Sequence, residues 1–298
     1  MSIGTKEPKL ADPKKQGQQP PFHEPKQTPP GSTTEMETKP DHGEQSYKGF
    51  NRLQNRKALI TGADSGIGRA VALAFAREGA DVLISYLNED EDARETERLV
   101  REAGRKAITA AGDIQNVKHC ERLVNQAFDE LGGLDILVNN AAFQMSHESI
   151  EELSPEEWDK TFRTNISAMF YLSRAALPRM KEGSTIINTA SVQAYQPSPT
   201  LLAYASTKGA IVTFTKALSQ LALKQGIRVN AIAPGPVWTP LIPSTMPQEQ
   251  VEKFGKSNPQ GRPAQPAELA PMYVFLASDE SRYINGGIFD LTGGKMLP

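Results

Sequence analysis

Cysteine is almost absent from this sequence, which has one such residue, Cys120, in 298 positions. A single thiol cannot form a disulfide within the chain, and scarce cysteine is typical of proteins from a reducing compartment. His119 precedes it, but no second group of cysteine and histidine residues follows that would complete a metal site. We therefore expect a cytoplasmic protein without a bound metal.

Long apolar runs and an excess of one charge are also missing. No segment is apolar over the length that a membrane-spanning helix needs, and the first residues lack the apolar stretch of a secretory signal. The 33 basic and 35 acidic residues give a formal net charge of −2, so no positive surplus favours nucleic acid as a partner. We expect neither a membrane nor a nucleic acid partner.

Residues 1–50 differ from the rest of the chain in composition. They are rich in proline, lysine, glutamine and glutamate, and Phe22 is their only aromatic residue before Tyr47. Such a segment buries too little apolar surface to offset the entropy lost on ordering. It is predicted to be a disordered, solubilising tail, and the alternative is an arm that lies across a neighbouring subunit. The remaining residues, 51–298, are predicted to form one domain.

Regular structure is expected from about residue 56, where short aliphatic runs alternate with segments of helical periodicity. This order predicts a single doubly wound α/β domain of the Rossmann type, with a seven-stranded parallel sheet and helices on both faces. Ligands of such sheets bind beyond the carboxyl ends of the strands. The predicted strands are 57–61, 81–86, 106–111, 134–139, 184–190, 227–233 and 287–291, and the predicted helices lie near 66–79, 90–104, 116–131, 154–182, 202–226 and 266–278.

A glycine-rich turn joins the first strand to the first helix. Gly62 is placed to turn the chain, Gly66 to let the backbone approach a ligand, and Gly68 to let the helix pack closely on the sheet. Free N–H groups and the helix dipole at such a turn favour a pyrophosphate. A glycine cluster in isolation is also compatible with a simple turn. The loop residues predicted to bind a dinucleotide are Gly62, Asp64, Ser65, Gly66, Ile67 and Gly68.

The segment TGADSGIG, residues 61–68, resembles the T-G-x-x-x-G-x-G signature of the short-chain dehydrogenase/reductase family. The resemblance extends over nearly all of 56–294, with Ala142 as a departure, since NNAA at 139–142 replaces the usual N-N-A-G. It implies an NAD(P)-dependent oxidoreductase that acts on CH–OH groups and forms a homotetramer through the helices at 154–182 and 202–226. The other matching residues are Ser191, Tyr204, Lys208, Pro234 and Gly235.

Four residues are predicted to be catalytic. Tyr204 and Lys208 are one helical turn apart and share a helix face, so the ammonium and the oxidised nicotinamide are expected to lower the phenol pKa. Tyr204 would then exchange a proton with the substrate oxygen. Ser191 ends a strand, where its hydroxyl would bind the same oxygen, although serine also ends many strands without a role. Asn165 completes the tetrad by resemblance, with a main chain that holds a water in a proton relay.

The choice between NAD and NADP is predicted from the end of the second strand, where the adenosine ribose lies in this fold. Tyr86 stands where NAD-using relatives often have an aspartate, and no arginine or lysine is present to receive a 2′-phosphate. The acidic residues at 89–92 would repel that phosphate, or simply favour the start of a helix. NAD is therefore favoured, NADP stays possible, and Asn88 would hydrogen-bond either ribose.

Further cofactor contacts follow from the resemblance. Asp113 would bind the adenine amino group, with Ile114 packed on the base, although an aspartate there would also suit a turn or a helix cap. Asn140 would stabilise the central strand, with its backbone beside the nicotinamide ribose. The other predicted cofactor contacts are Tyr86, Ala141, Ala142, Tyr204, Lys208, Pro234, Gly235, Val237 and Thr239.

The proline-rich segment at about 235–262 is predicted to be a mobile lid that closes on the substrate. Because no arginine lies near Ser191 in the sequence, a small neutral alcohol or ketone is the expected substrate. An NADP-dependent carbonyl or ketoacyl reductase is the alternative, and a nucleotide-sensing binding protein is a third hypothesis. The predicted substrate contacts are Ser191, Gln193, Tyr204 and Trp238.

Overall fold

A computed structural model describes residues 12–296, and within them seven strands form one parallel sheet in the order β3-β2-β1-β4-β5-β6-β7. The predicted fold class is confirmed, and the predicted strand ends agree within two residues. The strands are β1 Lys57–Thr61, β2 Asp81–Tyr86, β3 Ala107–Ala111, β4 Ile136–Asn139, β5 Thr185–Thr189, β6 Arg228–Pro234 and β7 Ile288–Leu291. The helices are α1 Gly66–Arg77, α2 Asp90–Glu102, α3 Val117–Gln126, α4 Pro155–Phe162, α5 Ala168–Ala176, α6 Leu202–Leu223, α7 Leu241–Thr245, α8 Gln248–Glu252 and α9 Pro266–Ala277.

Alternate residues of the strands point to the two faces of the sheet and build two apolar layers. Ile60 and Val138 pack with α1 and α9, whereas Leu59 and Leu137 pack with α3 and α5. Because both faces are covered, the strands are apolar throughout rather than alternating in polarity. None of the helices in residues 12–296 combines the length and the apolar character that a membrane span requires.

Two predicted helices contain wider turns that periodicity did not reveal. The predicted helix at 154–182 is α4 followed by a π-helical segment, Arg163–Ser167, and then by α5. The predicted helix at 116–131 ends in a second π-helical segment, Ala127–Leu131. A π turn closes i→i+5 hydrogen bonds and so adds one residue to the turn, which leaves the apolar pattern almost unchanged.

The strand order reverses between β1 and β4, which are hydrogen-bonded neighbours. Strands β2 and β3 extend from β1 in one direction, and β5 to β7 extend from β4 in the other. Connections leave β1 and β4 toward opposite faces, so a crevice opens at their carboxyl ends. This crevice is where the glycine-rich turn lies.

Residues 12–50 differ from the flexible tail that composition predicts, because they pack against the domain, while residues 1–11 lie outside the described part of the chain. Phe22 and Met36 are 2% exposed and form an apolar cluster with Trp238, Ile242 and Val251. The composition of the segment reflects only the apolar surface that the segment itself contributes. Here the domain supplies the other half of each contact.

The end of this segment is fixed by Glu78, whose side chain is fully buried just after α1. Its carboxylate accepts hydrogen bonds from Tyr47 Oη at 2.7 Å, from the backbone N–H groups of Phe50 and Arg52, and from the Arg52 guanidinium. Burial by itself raises the pKa of Glu78, but the bonds from Arg52, Tyr47 and Phe50 lower it to about 2. The carboxylate therefore stabilises the fold in its charged form.

Replacing Glu78 by alanine should lower the free energy of unfolding at neutral pH by about 3–5 kcal/mol, because Arg52 and the N–H groups lose a buried acceptor. The folded pKa lies below the ordinary value of 4.5. The contribution is thus complete above pH 4.5 and is lost as the pH falls toward 2. Urea unfolding of the parent and the Glu78→Ala proteins at several pH values measures this difference in free energy.

Glu102→Gln is the control, because the Glu102 carboxylate is 61% exposed in its ion pair, and it should change the free energy of unfolding little. A constant difference between the parent and the Glu78→Ala proteins down to pH 2 would contradict the prediction.

Candidate active site

A cleft of about 960 Å³ opens at the carboxyl ends of the strands. Such a volume is typical of sites for large cofactors or substrates. Four of the predicted residues, Gly68, Asn88, Asn165 and Trp238, are not among its lining residues. The predicted residues that line it are Gly62, Asp64, Ser65, Gly66, Ile67, Tyr86, Asp113, Ile114, Asn140, Ala141, Ala142, Ser191, Gln193, Tyr204, Lys208, Pro234, Gly235, Val237 and Thr239.

The glycine-rich turn forms the floor of the cleft. Gly62 has φ +61° and Gly66 has φ +50°, a backbone conformation that side chains other than glycine rarely adopt. The first N–H groups of α1 have no intrahelical partner, as at the start of any helix. Ser65, which precedes α1 in an extended conformation, does not cap them with its side chain. A Cβ on Gly68 would lie 1.8 Å from the Gly62 carbonyl oxygen. Gly68 thus supports the turn from below, which explains its absence from the lining.

Thr61 ties the glycine-rich turn to the end of β4. Its hydroxyl accepts hydrogen bonds from the N–H groups of Asn140 at 3.0 Å and Ala141 at 3.1 Å. In return, Asn140 Nδ2 donates to the carbonyls of Thr61 and Gly62. The two strands that flank the crevice are therefore locked together. The sequence interpretation did not single out Thr61, although it is the first residue of the TGADSGIG motif.

Tyr204, Ser191 and Lys208 come together at the inner end of the cleft. Lys208 Nζ lies 5.1 Å from the centre of the Tyr204 ring, and the Ser191 hydroxyl is close enough to the phenol to affect its pKa. Burial raises the pKa of Tyr204 to about 12, although Ser191 opposes this, and burial lowers the pKa of Lys208 to about 7. The sequence predicts that Lys208 and the oxidised nicotinamide lower the pKa of Tyr204. In the protein without cofactor the pKa of Tyr204 is raised instead. Desolvation is the largest cause of both shifts, because burial disfavours the charged form of each group.

Lys208 is held by backbone rather than by an acid. Its Nζ donates to the Thr189 carbonyl at 2.8 Å and the side chain is 1% exposed. The Thr189 hydroxyl is in turn 2.8 Å from Tyr273 Oη and 3.4 Å from Asn140 Oδ1. This network joins the ends of β4 and β5 to α9. No sequence signal identified Thr189 or Tyr273, because the contacts join distant positions.

Asn165 lies behind Tyr204 and not in the cleft. It belongs to the π-helical segment, and its side chain accepts from Phe143 N and donates to the Phe143 carbonyl and to Thr207 Oγ1. Thr207 Oγ1 donates to the Tyr204 carbonyl at 2.7 Å. The amide is therefore fully engaged in positioning the neighbouring backbone, and the π turn gives a local reason for asparagine within a long helix.

The end of the cleft beside β2 is acidic. Asp64 and Glu89 both line it, and burial raises the pKa of Asp64 to about 6. Burial and the neighbouring charge of Asp64 raise the pKa of Glu89 to about 7. Within residues 12–296, no arginine or lysine of the glycine-rich turn, β2 or α2 lines the cleft. Arg69 is close by, but its guanidinium is engaged by the Asp64 carbonyl and by Asp92.

Three residues predicted to contact the cofactor, Tyr86, Asn88 and Asp113, form hydrogen bonds within the protein that the sequence did not predict. The Tyr86 hydroxyl donates to Asp90 Oδ1 at 2.7 Å, and the backbone N–H of Asn88 bonds the Glu89 carboxylate. The Asp113 carboxylate accepts from the N–H and the amide of Gln115, so it forms a turn as well as lining the cleft. Asn116, and not Asp113, caps α3.

Trp238 is the predicted substrate contact that the structure places elsewhere. The side chain is 0% exposed, stacks on Phe22 with ring centres 3.9 Å apart, and donates from Nε1 to the Thr38 carbonyl. Trp238 would be free to face the cleft only if residues 1–50 were detached from the domain, as their composition predicts. Gln193 does line the cleft, and so do Gln144, Lys160, Leu201, Leu241, Met246 and Phe254.

Residues 62–295 match a family model described as Enoyl-(Acyl carrier protein) reductase. General stress protein 39 of Bacillus subtilis is 49% identical over 90% of this chain and 94% of its own length. Glucose and ribitol dehydrogenase of Daucus carota is 46% identical over 94% and 98%. The chloroplastic NADPH-dependent aldehyde reductase 1 of Arabidopsis thaliana is 44% identical over 90% and 96%.

Solved structures agree with the fold. A short chain dehydrogenase from Burkholderia cenocepacia in complex with NADP has a TM-score of 0.76 at 31% identity, over 82% of this chain and 98% of that one. The 3-ketoacyl-(acyl-carrier-protein) reductase of Brucella melitensis complexed with NADH has a TM-score of 0.74 at 35% identity, over 82% and 99%. Both nicotinamide cofactors thus occur among proteins similar to this chain.

Proposed function

The chain belongs to the short-chain dehydrogenase/reductase family and is an oxidoreductase of CH–OH or carbonyl groups, and from that premise we propose that it is NAD-linked and acts on a small alcohol or ketone. The observation that carries the proposal is the meeting of Tyr204, Ser191 and Lys208 in the same cleft as the glycine-rich turn. When bound, the nicotinamide supplies the hydride.

The protein groups supply binding and proton transfer. The glycine-rich turn and the N-terminus of α1 hold the pyrophosphate, because the first N–H groups of α1 have no intrahelical partner and no side-chain cap. Tyr204 donates a proton to a carbonyl oxygen during reduction and accepts one from an alcohol during oxidation. Ser191 hydrogen-bonds the same oxygen and orients the phenol. Lys208, fixed by Thr189, places a cation near the phenol when it is protonated. Asn165 supports the backbone behind Tyr204 and places a main-chain carbonyl for the water of a proton relay.

Preference for NAD is supported by charge. A 2′-phosphate would enter the end of the cleft that Asp64 and Glu89 line, where the guanidinium of Arg69 is already paired. The named NADPH-dependent relative and the neighbour with bound NADP keep an NADP-dependent carbonyl reductase as the alternative.

A neutral substrate is supported by the lining around Gln193, which consists mainly of amide and aliphatic side chains. Its lysine, Lys160, lies over the Phe143 ring, 4.2 Å from the ring centre, and no arginine of residues 12–296 lines the cleft. A homotetramer also belongs to the proposal. Phe170 on α5 and Leu202 and Leu221 on α6 are 48%, 43% and 58% exposed, as expected of helices that a second copy covers. A cytoplasmic location remains part of the same proposal.

The test is a panel of small alcohols with NAD or NADP and of aldehydes and ketones with the reduced cofactors, followed by nicotinamide absorbance. We expect turnover with at least one carbonyl and a higher kcat/KM for NADH than for NADPH. Above about pH 8, where a carboxyl with a pKa of about 7 is charged, Glu89→Gln should raise kcat/KM for NADPH up to about tenfold and leave that for NADH nearly unchanged, since it removes one negative charge beside the 2′-phosphate. The gain should shrink at high salt.

Glu91→Gln is the matched control, because Glu91 is an exposed acid in the first turn of the same helix but does not line the cleft. It should leave the cofactor ratio unchanged. Equal turnover with both cofactors in the parent protein would contradict the NAD preference. Absence of turnover with every member of the panel, together with failure to bind either cofactor, would contradict the enzymatic proposal.

A further inference from the structure

One wall of the cleft comes from outside the parallel sheet and its helices. We use the name strap for residues 27–34 of the N-terminal segment. Pro29 and Pro30, in the middle of the strap, line the same cleft as the glycine-rich turn. Nothing in the sequence motifs assigns a role to these prolines.

The strap is attached at one end to α7, within the segment predicted to be a lid. Gln27 N donates to the Pro243 carbonyl at 3.3 Å, and Ser244 Oγ donates to the Pro30 carbonyl at 3.2 Å. Gly31 packs so closely that a Cβ there would lie 2.6 Å from the Pro240 carbonyl oxygen. The strap and α7 therefore form one packed unit.

The other end of the strap is attached beside the glycine-rich turn. Thr33 N and Thr34 Oγ1 donate to the two carboxylate oxygens of Asp92, at 2.6 and 3.0 Å. The same carboxylate is paired with Arg69 at 3.0 Å, and Arg69 Nε donates to the Asp64 carbonyl at 2.8 Å. A continuous set of contacts thus runs from the strap to the turn that is proposed to hold the pyrophosphate.

Contacts on either side of the strap hold it in place. Phe22 stacks on Trp238, whose Nε1 donates to the Thr38 carbonyl, and the buried Glu24 carboxylate accepts from the N–H groups of Glu37 and Thr38. Residues on the two sides of the strap are therefore joined to each other, and the strap lies in the loop between them. The backbone of the N-terminal segment also bonds the α8 region, from Phe22 N to the Glu252 carbonyl.

We propose that the strap is the outer wall of the dinucleotide site and retains the bound cofactor, which leaves only after the strap detaches from α7 and Asp92. This rests on the proposed function, since it assumes that the cleft binds a nicotinamide dinucleotide. The strap closes the cleft without filling it, because about 960 Å³ remains with Pro29 and Pro30 in place. The Phe22–Trp238 stack anchors the chain that leads into the strap, so loss of the stack should make detachment easier and cofactor release faster.

The experiment uses Trp238 as a reporter of strap position. The sequence has two tryptophans, so Trp158→Phe in the full chain leaves Trp238 as the sole source of tryptophan emission. In this background Phe22→Ala removes the stack and Thr34→Val removes one bond to Asp92. Release of NADH is followed by stopped-flow fluorescence after mixing with excess NAD, and exposure of Trp238 is followed by acrylamide quenching.

We expect NADH dissociation to be at least about tenfold faster with Phe22→Ala, and two- to fivefold faster with Thr34→Val. Acrylamide should quench Trp238 more strongly in the variant whose NADH dissociation is faster. The single-turnover rate of the cofactor-saturated Phe22→Ala enzyme should not change, because Phe22 lies outside the strap and does not line the cleft. His23→Ala, an exposed neighbour of Phe22, is the matched control and should leave both signals unchanged. Circular dichroism checks that the domain remains folded, and Thr34→Val covers the case in which Phe22→Ala does not fold.

Three results would overturn the proposal. Dissociation that stays unchanged while Trp238 becomes exposed would show that the strap does not retain the cofactor. Faster association with unchanged dissociation would show that the strap obstructs the cleft instead. Trp238 emission already typical of solvent in the parent protein would show that the segment is not docked. Failure of the parent protein to bind NADH at all would instead refute the proposed function, and the strap proposal with it.

Discussion

Tyr204→Phe should lower kcat about 10²–10⁴-fold and leave the dissociation constant of NADH within about twofold, because it removes the proton donor and keeps the ring. Burial keeps the pKa of Tyr204 near 12, so the phenol is protonated at neutral pH and is ready to donate in the direction of reduction. Steady-state kinetics with the best carbonyl of the panel, together with a fluorescence titration of NADH, measure the two quantities separately.

Tyr195→Phe is the control for this change. Tyr195 also follows β5, but it packs in an apolar cluster with Ile211 and does not line the cleft. Activity should survive in that variant. Turnover that persists in Tyr204→Phe, with the cofactor still bound, would remove Tyr204 from the mechanism and favour a binding protein over an enzyme.

Gly68→Ala should reduce the affinity for NADH at least about 100-fold and lower the free energy of unfolding by about 1–3 kcal/mol or more. The new methyl carbon would lie 1.8 Å from the Gly62 carbonyl oxygen and 2.7 Å from its carbon. Both are backbone atoms, which cannot turn aside as a side chain would. The glycine-rich turn must move, and with it the N–H groups proposed to hold the pyrophosphate. Isothermal titration and urea unfolding measure the two effects.

Gly209→Ala is the matched control, since Gly209 also lies within a helix but has no heavy atom within 4 Å of its added Cβ. It should leave NADH affinity unchanged and stabilise the fold by about 0.5–1 kcal/mol through helix propensity. If Gly68→Ala bound NADH as the parent does, the close approach of α1 to the turn would have no bearing on cofactor binding.

Local pattern was sufficient for much of the fold and of the cleft. The strands, and the helices other than α7 and α8, follow from apolar periodicity, and the carboxyl-end position of the cleft follows from their alternation. Tyr204 and Lys208 are neighbours because a helix places residues four apart on one face. The roles of Gly62 and Gly68 follow from spacing, and their backbone geometry agrees with those roles.

Contacts between distant segments could not be predicted in this way. Composition correctly describes residues 12–50 as poor in apolar groups, but Phe22 finds Trp238 on the domain, more than two hundred positions away. Because of the same contact, Trp238 is buried and does not line the cleft. The π turn at Asn165 and the bonds of Thr189 to Tyr273 likewise depend on packing between elements.

The amino-acid sequence by itself determined the order of strands and helices, the glycine-rich turn and the pairing of Tyr204 with Lys208, because each depends on spacing along the chain. Only the tertiary structure decided the position of the N-terminal segment, the burial of Trp238 and the direction of the Tyr204 pKa. These depend on which surfaces meet and on how much water they exclude, and neither quantity is encoded in local periodicity.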